Sequence, residues 1–345
     1  MGMTSKFDWQ IIRHEGPRSF LERSIENRSL AHAYIFSGPR QIGKLSVAKR
    51  LSHFLICEKS HLITDFANSE EVVYGCGECN NCRMFARGLY PDLYIVEREV
   101  DEKTSKVKTA IGVKQIRELQ GKLSRHAFHD SYKIVIIPEA EALTAEASNS
   151  LLKFLEEPTD KTVLILLTTR EDMLLPTILS RCQRLVFSLV PREEIYKHLL
   201  ARGGSPVVAR EIAALSQGRA TMAQKFFEDS DFYTQYRERV VGWWNFFGLR
   251  TAARFQYLEK YFKPTDLTRD QIESDLDIVS SLIRDAVFLR SGLNSFVVNN
   301  FMIDSLIAWP AGLAKARRFM ENIEKSRRYL AQNVAPKFIF ENLLT

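Results

Sequence analysis

Four of the five cysteines in this chain lie close together in the sequence, in a pattern that could ligate a metal ion. Cys76, Cys79 and Cys82 form a C-x-x-C-x-x-C run, and Cys57 precedes the run by 18 intervening residues. Two overlapping C-x-x-C spacings are typical of metal ligands. Four thiolates with no open position suit a structural, tetrahedral zinc site. An iron–sulfur cluster uses the same ligand set and is the alternative.

The separation of Cys57 from the C-x-x-C-x-x-C run is long for a four-cysteine site. His53 and His61 are the nearby side chains that could replace Cys57 as the fourth ligand. Cys182 lies about 100 positions further along and stands apart from the cluster. This distribution predicts a metal site with one spare thiol and does not suit a disulfide framework.

A second pattern that indicates chemistry is a phosphate-binding loop of the form G-x-x-x-x-G-K. It runs from Gly38 through Gly43 to Lys44, after an apolar strand predicted over residues 33–37 and before a helix predicted over residues 44–55. Such a loop holds phosphates with backbone N–H groups, a helix N-terminus and a lysine side chain. Gly38, Gly43 and Lys44 are therefore the candidate nucleotide-binding residues.

The two magnesium-binding positions that should accompany this loop are both missing. Leu45 stands where the motif needs Ser or Thr, and Ser46 is displaced by about 100° around the helix. Pro138 follows the next apolar strand where an aspartate would hold the metal, and Glu139 comes one residue late. Because the metal neutralises developing charge during phosphoryl transfer, we expect no ATP hydrolysis by this chain. Binding of a nucleotide without hydrolysis stays open at this point.

The order of predicted elements indicates an α/β domain followed by helices. Short apolar strands alternate with helices up to about Pro191, which is typical of a parallel sheet covered on both faces. Strand signals then stop, and from about Asp229 the chain reads as helical almost throughout. We predict a phosphate-loop α/β domain over residues 1–190 with the four-cysteine module at 57–82 inserted in it. A small helical domain over 191–228 and an all-α C-terminal domain over 229–345 should follow.

Composition excludes several classes of protein. The 345 residues are 45% hydrophobic and 26% charged, which is ordinary for globular domains and unlike disordered or collagen-like chains. No signal-peptide-like start or apolar run of membrane-spanning length is present, so we expect a cytoplasmic protein. The net charge of +6 is too mild to indicate nucleic-acid binding by itself.

Arg181 follows the strand predicted over residues 162–167, within the segment 176–182. Most arginines are surface residues, and taken alone Arg181 would be read as one of them. In a phosphate-loop fold the interpretation changes, because ring-forming ATPases donate an arginine to the γ-phosphate held by a neighbouring subunit. Arg181 is therefore a candidate catalytic residue that acts in trans.

Taken together, these segments resemble the delta-prime family of bacterial DNA polymerase III clamp-loader subunits, which belong to the AAA+ proteins. The resemblance spans about residues 7–190, and its matching segments are residues 30–39, the four-cysteine module, residues 148–158 and residues 174–183.

The resemblance implies a function in DNA replication. Members of this family sit in a five-subunit ring with gamma/tau and delta subunits, and the ring opens the sliding clamp and loads it on primed DNA. A delta-prime-type member supplies an arginine finger without being an ATPase or a polymerase itself. By position, Arg181 would be the finger and the four cysteines the zinc ligands. Thr168 or Thr169 would end the nucleotide-sensing strand, and residues 218–220 would resemble the second sensor. The resemblance also implies a cytoplasmic location, in the replisome associated with the nucleoid.

Two other functions are compatible with parts of the sequence. A gamma/tau-type motor ATPase shares the family, although Leu45 and Pro138 argue against it. A DNA-binding zinc protein is the second alternative. For this function the sequence offers one strong basic cluster, which is interrupted by Glu321 and Glu324 and is typical of a solvated helix face. The cluster consists of Lys315, Arg317, Arg318, Lys325, Arg327 and Arg328.

Overall fold

The structure is a computed structural model of the chain. It describes residues 9, 12–60, 75–101, 107–124, 127, 131–262, 267–309, 312–332, 334–341 and 343. The chain divides into two compact units, one formed by residues 1–194 with 219–221 and the other by residues 195–218 with 222–345. The predicted stretch 61–74 of the cysteine module lies outside the described residues.

The first unit is an α/β unit, as predicted. Its strands are β1 (Ala33–Ser37), β2 (Leu93–Ile95), β3 (Lys133–Ile137), β4 (Thr162–Thr168) and β5 (Gln183–Val186). Its helices are α1 (Glu15–Glu26), α2 (Lys44–Ile56), α3 (Asn80–Ala86), α4 (Val113–Leu123), α5 (Ala145–Glu156) and α6 (Pro176–Leu179). The predicted parallel α/β architecture is confirmed.

Within the described part of the chain, the strands form one parallel sheet in the order β2-β3-β4-β1-β5. Phe36 in the interior strand β1 lies opposite Leu167 of β4 and Leu185 of β5. Alternate residues of β1 enter two separate cores: Tyr34 and Phe36 pack on one face and Ile35 on the other. Both faces of the sheet are therefore buried, which explains why its strands are continuous apolar runs.

Local signals in the sequence set the ends of several elements. The side chain of Thr144 accepts a hydrogen bond from the Ala147 backbone N–H at 3.1 Å and so caps α5. The same helix ends at Glu156 because Pro158 disfavours helical backbone just before it. Helix α4 begins at Val113 after its N-cap residue Gly112.

The described residues of the second unit form helices and short 3₁₀ turns. The helices are α7 (Arg192–Ala201), α8 (Pro206–Leu215), α9 (Ala220–Glu228), α10 (Ser230–Gly248), α11 (Thr251–Tyr261), α12 (Arg269–Arg290), α13 (Ile303–Ile307), α14 (Leu313–Ala331) and α15 (Pro336–Glu341). The division of the chain into three domains at about residues 190 and 229 stays a prediction.

A buried carboxylate joins three helices of the second unit. Asp275 on α12 is fully buried and accepts hydrogen bonds from Trp243 Nε1 at 3.0 Å and from the Tyr261 hydroxyl at 2.7 Å. The guanidinium of Arg239 pairs with the same carboxylate. Trp243 also stacks on Phe340 with ring centroids 4.8 Å apart. The aromatic segment around Trp243 is thus core packing between helices.

No helix among the described residues is long and apolar enough to cross a membrane.

A close backbone approach makes Gly38 irreplaceable in the first unit. Its φ is +147°, and a Cβ there would lie 2.2 Å from the Phe187 carbonyl oxygen, which follows β5. Gly38→Ala should therefore lower the free energy of unfolding by about 1–3 kcal/mol, seen as a lower midpoint of thermal unfolding. Gly16→Ala is the matched control, because a Cβ at this helical position meets nothing within 4 Å. Equal midpoints for the two variants would contradict the steric argument.

Candidate functional site

The predicted phosphate loop lies between the end of β1 and the start of α2, and its lysine is buried. Lys44 Nζ donates hydrogen bonds to the carbonyl oxygens of Gly38 and, at 2.7 Å, of Pro39. Burial lowers the pKa of Lys44 to about 8. Most Lys44 side chains therefore still carry their proton at neutral pH, and this charge is held inside the loop.

Several carbonyl groups of the loop accept hydrogen bonds, whereas two of its backbone N–H groups have no acceptor among the described residues. The Ile42 carbonyl lies 2.5 Å from His14 Nε2, and the Gln41 carbonyl accepts from the Thr221 backbone N–H at 2.9 Å. Ile42 and Gly43 are buried, and no described residue accepts a hydrogen bond from their backbone N–H groups. Buried N–H groups usually have an acceptor, so this arrangement fits an anion such as phosphate.

The residues where magnesium would bind do not fit that metal. Leu45 offers no oxygen and is partly exposed. The Glu139 carboxylate is 2.6 Å from Arg98 Nε and 3.9 Å from Arg40 Nη2, so two guanidinium groups lie near it. A magnesium ion needs oxygen ligands that are not already neutralised by cations. The sequence-based expectation that both metal positions are lost stays a prediction.

Glu141 is a charged group at this site that the sequence reading missed. Its Oε1 atom accepts hydrogen bonds from the Thr169 hydroxyl at 2.7 Å and from the Thr169 backbone N–H at 3.1 Å. Its charge also acts on Lys44, where it opposes part of the lowering of the pKa. The signal for it was the second acidic residue after β3, two positions beyond Glu139. Thr169, one of the two candidates for the end of the sensing strand, thus contacts Glu141, and Glu141 in turn acts on Lys44.

Residues 219–221 group with the first unit even though their sequence neighbours belong to the second. Thr221 is the residue that contacts the loop, through its backbone N–H on Gln41. A Cβ at Gly43 would also lie 3.9 Å from the Thr221 hydroxyl oxygen. Residues 219–220 of the segment that resembles the second sensor therefore belong to the unit that contains the phosphate loop.

Arg181 lies at the surface just after α6. Its Nη2 atom is 3.0 Å from Glu156 Oε1, and its Nη1 atom donates at 3.2 Å to the Thr177 carbonyl and to the Ser180 hydroxyl. The Arg181 side chain is 38% exposed. It is therefore not part of the phosphate loop of its own chain, and it is accessible to another molecule. The neighbouring Cys182 is a poor nucleophile, because burial raises the pKa of its thiol to about 12.

The four clustered cysteines come together in space. Their Sγ atoms all lie within 4.8 Å of one another, with Cys57 at the end of α2 and Cys79 and Cys82 at the start of α3. A tetrahedral zinc–thiolate site has Zn–S bonds of about 2.3 Å, which places its sulfur atoms about 3.8 Å apart. Because an iron–sulfur cluster contains several metal atoms, its thiolates lie farther apart. The compact arrangement therefore favours a single ion.

Backbone donors point at these sulfur atoms. The Cys76 N–H donates to Cys57 Sγ at 3.3 Å, the Cys79 N–H to Cys76 Sγ at 3.3 Å, and the Cys82 N–H to Cys79 Sγ at 3.4 Å. Such hydrogen bonds stabilise thiolates, which are the form that binds metal. The chemistry of the donor set therefore fits zinc, and Cys57 is brought into the cluster despite its distance in the sequence.

Two contacts attach the cysteine cluster to α2. Buried Asn81 donates from Nδ2 to the Ile56 carbonyl at 2.9 Å. His53 stacks on Phe85 with centroids 4.8 Å apart, and its ring would collide with any Cβ at Gly75. His53 is therefore a packing residue and is not among the residues that could hold the ion. His61 lies outside the described residues.

The basic cluster on α14 is partly neutralised within its own unit. Arg317 Nε is 3.0 Å from Glu321 Oε1, and Arg327 Nη2 is 2.6 Å from Asp277 Oδ1. These ion pairs are those of a solvated helix face and reduce the positive charge available to a nucleic acid.

Comparison with known proteins identifies related sequences. Residues 14–191, just over half of the chain, match a protein family described as "DNA polymerase III, delta subunit". The chain is 29% identical to the DNA polymerase III subunit delta' of Bacillus subtilis, over 86% of this chain and 85% of that protein. It is 34% identical to the subunit delta' of Pseudomonas aeruginosa, over 53% of this chain and 56% of that one. It is also 32% identical to the Bacillus subtilis tau subunit, but over 54% of this chain and 30% of tau.

We expect one zinc ion per purified chain, measured by elemental analysis. Cys79→Ser should abolish this zinc, because it removes one of four thiolates and a tetrahedral structural site has no spare ligand. Cys182→Ser is the matched control and should keep the metal, since Cys182 is not in the cluster. A fully folded chain that contains no metal would contradict the assignment, and so would iron in place of zinc.

Proposed function

Because this chain belongs to the protein family described as DNA polymerase III, delta subunit, we propose that it is the non-hydrolysing, delta-prime-type subunit of a clamp loader. In this role it stimulates a neighbouring ATPase subunit with Arg181. The observation that carries the proposal is the pairing of a phosphate loop that lacks magnesium ligands with an exposed arginine at the surface of the same unit.

The contacts around Glu139 support the non-hydrolysing part of the proposal. An ATPase needs a carboxylate free to bind the metal, whereas the Glu139 carboxylate is paired with Arg98 and lies near Arg40. Gly38, Gly43 and Lys44 would still hold the phosphates of a nucleotide through the loop's free N–H groups and the lysine charge. Magnesium chemistry would then be the task of the neighbouring subunit.

The proposed chemistry of Arg181 is electrostatic. An arginine finger places a guanidinium on a γ-phosphate and stabilises the charge that develops as the phosphoryl group is transferred. Arg181 suits this role because its side chain is exposed and its charge cannot be lost by deprotonation. The four cysteines would hold a structural zinc that shapes the surface next to α2 and takes no part in this chemistry.

The partners that we propose follow from the family. The relatives include delta' and gamma/tau subunits of DNA polymerase III. We propose that this chain assembles with gamma/tau and delta subunits in a five-membered ring. Through that ring it would act on the sliding clamp and on primed DNA.

A gamma/tau-type motor ATPase is the second candidate, since tau is also a relative. The similarity to tau covers about half of this chain, whereas the similarity to the Bacillus subtilis delta' subunit covers 86% of it. Leu45 and the occupied Glu139 also disfavour a motor. A DNA-binding zinc protein is disfavoured by the ion pairs on α14.

The purified chain alone should hydrolyse ATP no faster than its own Lys44→Ala variant. The physical reason is that the Leu45 side chain offers no oxygen to a metal ion and the Glu139 carboxylate is paired with Arg98, so the developing phosphate charge is not neutralised. The measurement is phosphate release in the presence of magnesium. A rate that depends on Lys44 would favour the motor ATPase.

Arg181→Ala should leave folding unchanged and reduce ATP hydrolysis by the reconstituted ring. An arginine finger contributes about 10³–10⁵ in rate, so the neighbour served by Arg181 should lose nearly all of its turnover. The matched control is Arg202→Ala: Arg202 is similarly exposed, at 39%, and is also paired at 3.0 Å, with Glu228. The rate of ATP hydrolysis by rings containing each variant is the readout. An unchanged rate with Arg181→Ala would refute the finger.

A further inference from the structure

Glu156 is the charged partner of Arg181 and has no other assigned role. It is the last residue of α5, and its Oε1 atom lies 3.0 Å from Arg181 Nη2. No other described residue pairs with the Glu156 carboxylate. The Glu156 side chain is 52% exposed and the Arg181 side chain 38%. An ion pair this exposed adds little to folding stability because water screens it, so stability does not account for it.

The guanidinium of Arg181 is held from two sides. On one side, Nη1 donates to the Thr177 carbonyl and to the Ser180 hydroxyl at the end of α6. On the other side, Nη2 meets Glu156 at the end of α5. The Nε–H group has no acceptor among the described residues. The contacts therefore engage both terminal nitrogens of the guanidinium and leave its Nε–H donor without an acceptor in the described part of the chain.

We propose that Glu156 is a positioning residue for Arg181. It favours the orientation of the guanidinium in which the free Nε–H is available to a phosphate group of a nucleotide bound to a neighbouring subunit. This inference rests on the proposed role of Arg181. Holding a flexible side chain in its working geometry before the reaction lowers the ordering cost that the transition state would otherwise carry.

The ends of α5 and α6 explain why this pair forms here. Pro158 ends α5 at Glu156, which leaves this carboxylate on the last helical residue. Helix α6 is a single turn after Pro176, and Arg181 follows its C-cap residue Ser180. The two segments that carry the family resemblance, residues 148–158 and 174–183, thus contact each other through this ion pair.

An exposed pair also suits exchange with a phosphate. A carboxylate carries one negative charge, whereas a terminal phosphate carries more charge and offers three oxygen acceptors to the guanidinium. The phosphate can therefore accept a hydrogen bond from the free Nε–H of Arg181 without first breaking the contacts on Nη1. Glu156 orients the arginine and is not a catalytic residue, since it does not touch the nucleotide.

The test uses the complete ring, reconstituted with the full-length chain, with steady-state ATP hydrolysis as the readout. The Arg181-dependent rate is defined as the difference between rings with the unchanged chain and rings with Arg181→Ala. We expect Glu156→Ala to remove about half or more of this rate, with the KM for ATP unchanged, because positioning acts on the transition state. The matched control is Glu157→Ala, since Glu157 is the adjacent exposed carboxylate and has no ion pair in the described structure; it should leave the rate unchanged.

The double variant Glu156→Ala with Arg181→Ala separates positioning from a structural role. If Glu156 acts through Arg181, the double variant hydrolyses ATP at the rate of Arg181→Ala alone. A further loss in the double variant would overturn the proposal and indicate a structural role. An effect of Arg181→Ala with none of Glu156→Ala would overturn the positioning role and leave the proposed function standing. No effect of Arg181→Ala would overturn both.

Discussion

The parallel sheet, buried on both faces, is the constraint on which the candidate phosphate site depends. Parallel strands run through the core in one direction, so their carboxyl ends meet along one edge. The phosphate loop after β1, Glu139 and Glu141 after β3 and Thr169 after β4 therefore lie at the same edge. Gly38 is part of this constraint, because the backbone after β5 passes too close to it for any side chain.

At this edge, charged side chains of the chain pair with one another. Arg98 neutralises Glu139 and Glu141 partly balances buried Lys44, so the charges of the site are compensated without a divalent cation. A buried charge requires such compensation, whichever group provides it. Arg181 lies away from this loop, at the surface after α6, where it contacts Glu156, Thr177 and Ser180. The charged groups beside the loop are thus paired within the chain, and Arg181 is an exposed cation of the same unit.

The cysteine cluster depends on contacts of a different kind. Its hydrogen bonds run between backbone N–H groups and sulfur atoms within the module, and Asn81 with His53 attaches the module to α2. Both attachments involve the end of the helix that begins at the phosphate loop. The second unit has its own polar centre at Asp275, where a buried carboxylate joins α10, α11 and α12.

The sequence by itself determined whatever depends on neighbouring residues. The apolar runs predicted β1, β3 and β4 within a residue, Thr144 and Pro158 predicted the ends of α5, and the C-x-x-C-x-x-C spacing predicted the thiol cluster. These signals are local, since helix periodicity, capping and ligand spacing act over a few positions. Only the tertiary structure decided which distant residues meet. It brought Cys57 to the other cysteines, Arg98 to Glu139, residues 219–221 to the phosphate loop and Glu156 to Arg181. The physical reason is that such contacts depend on the order of strands in the sheet and on the directions of helix ends, neither of which has a signature in a short stretch of sequence.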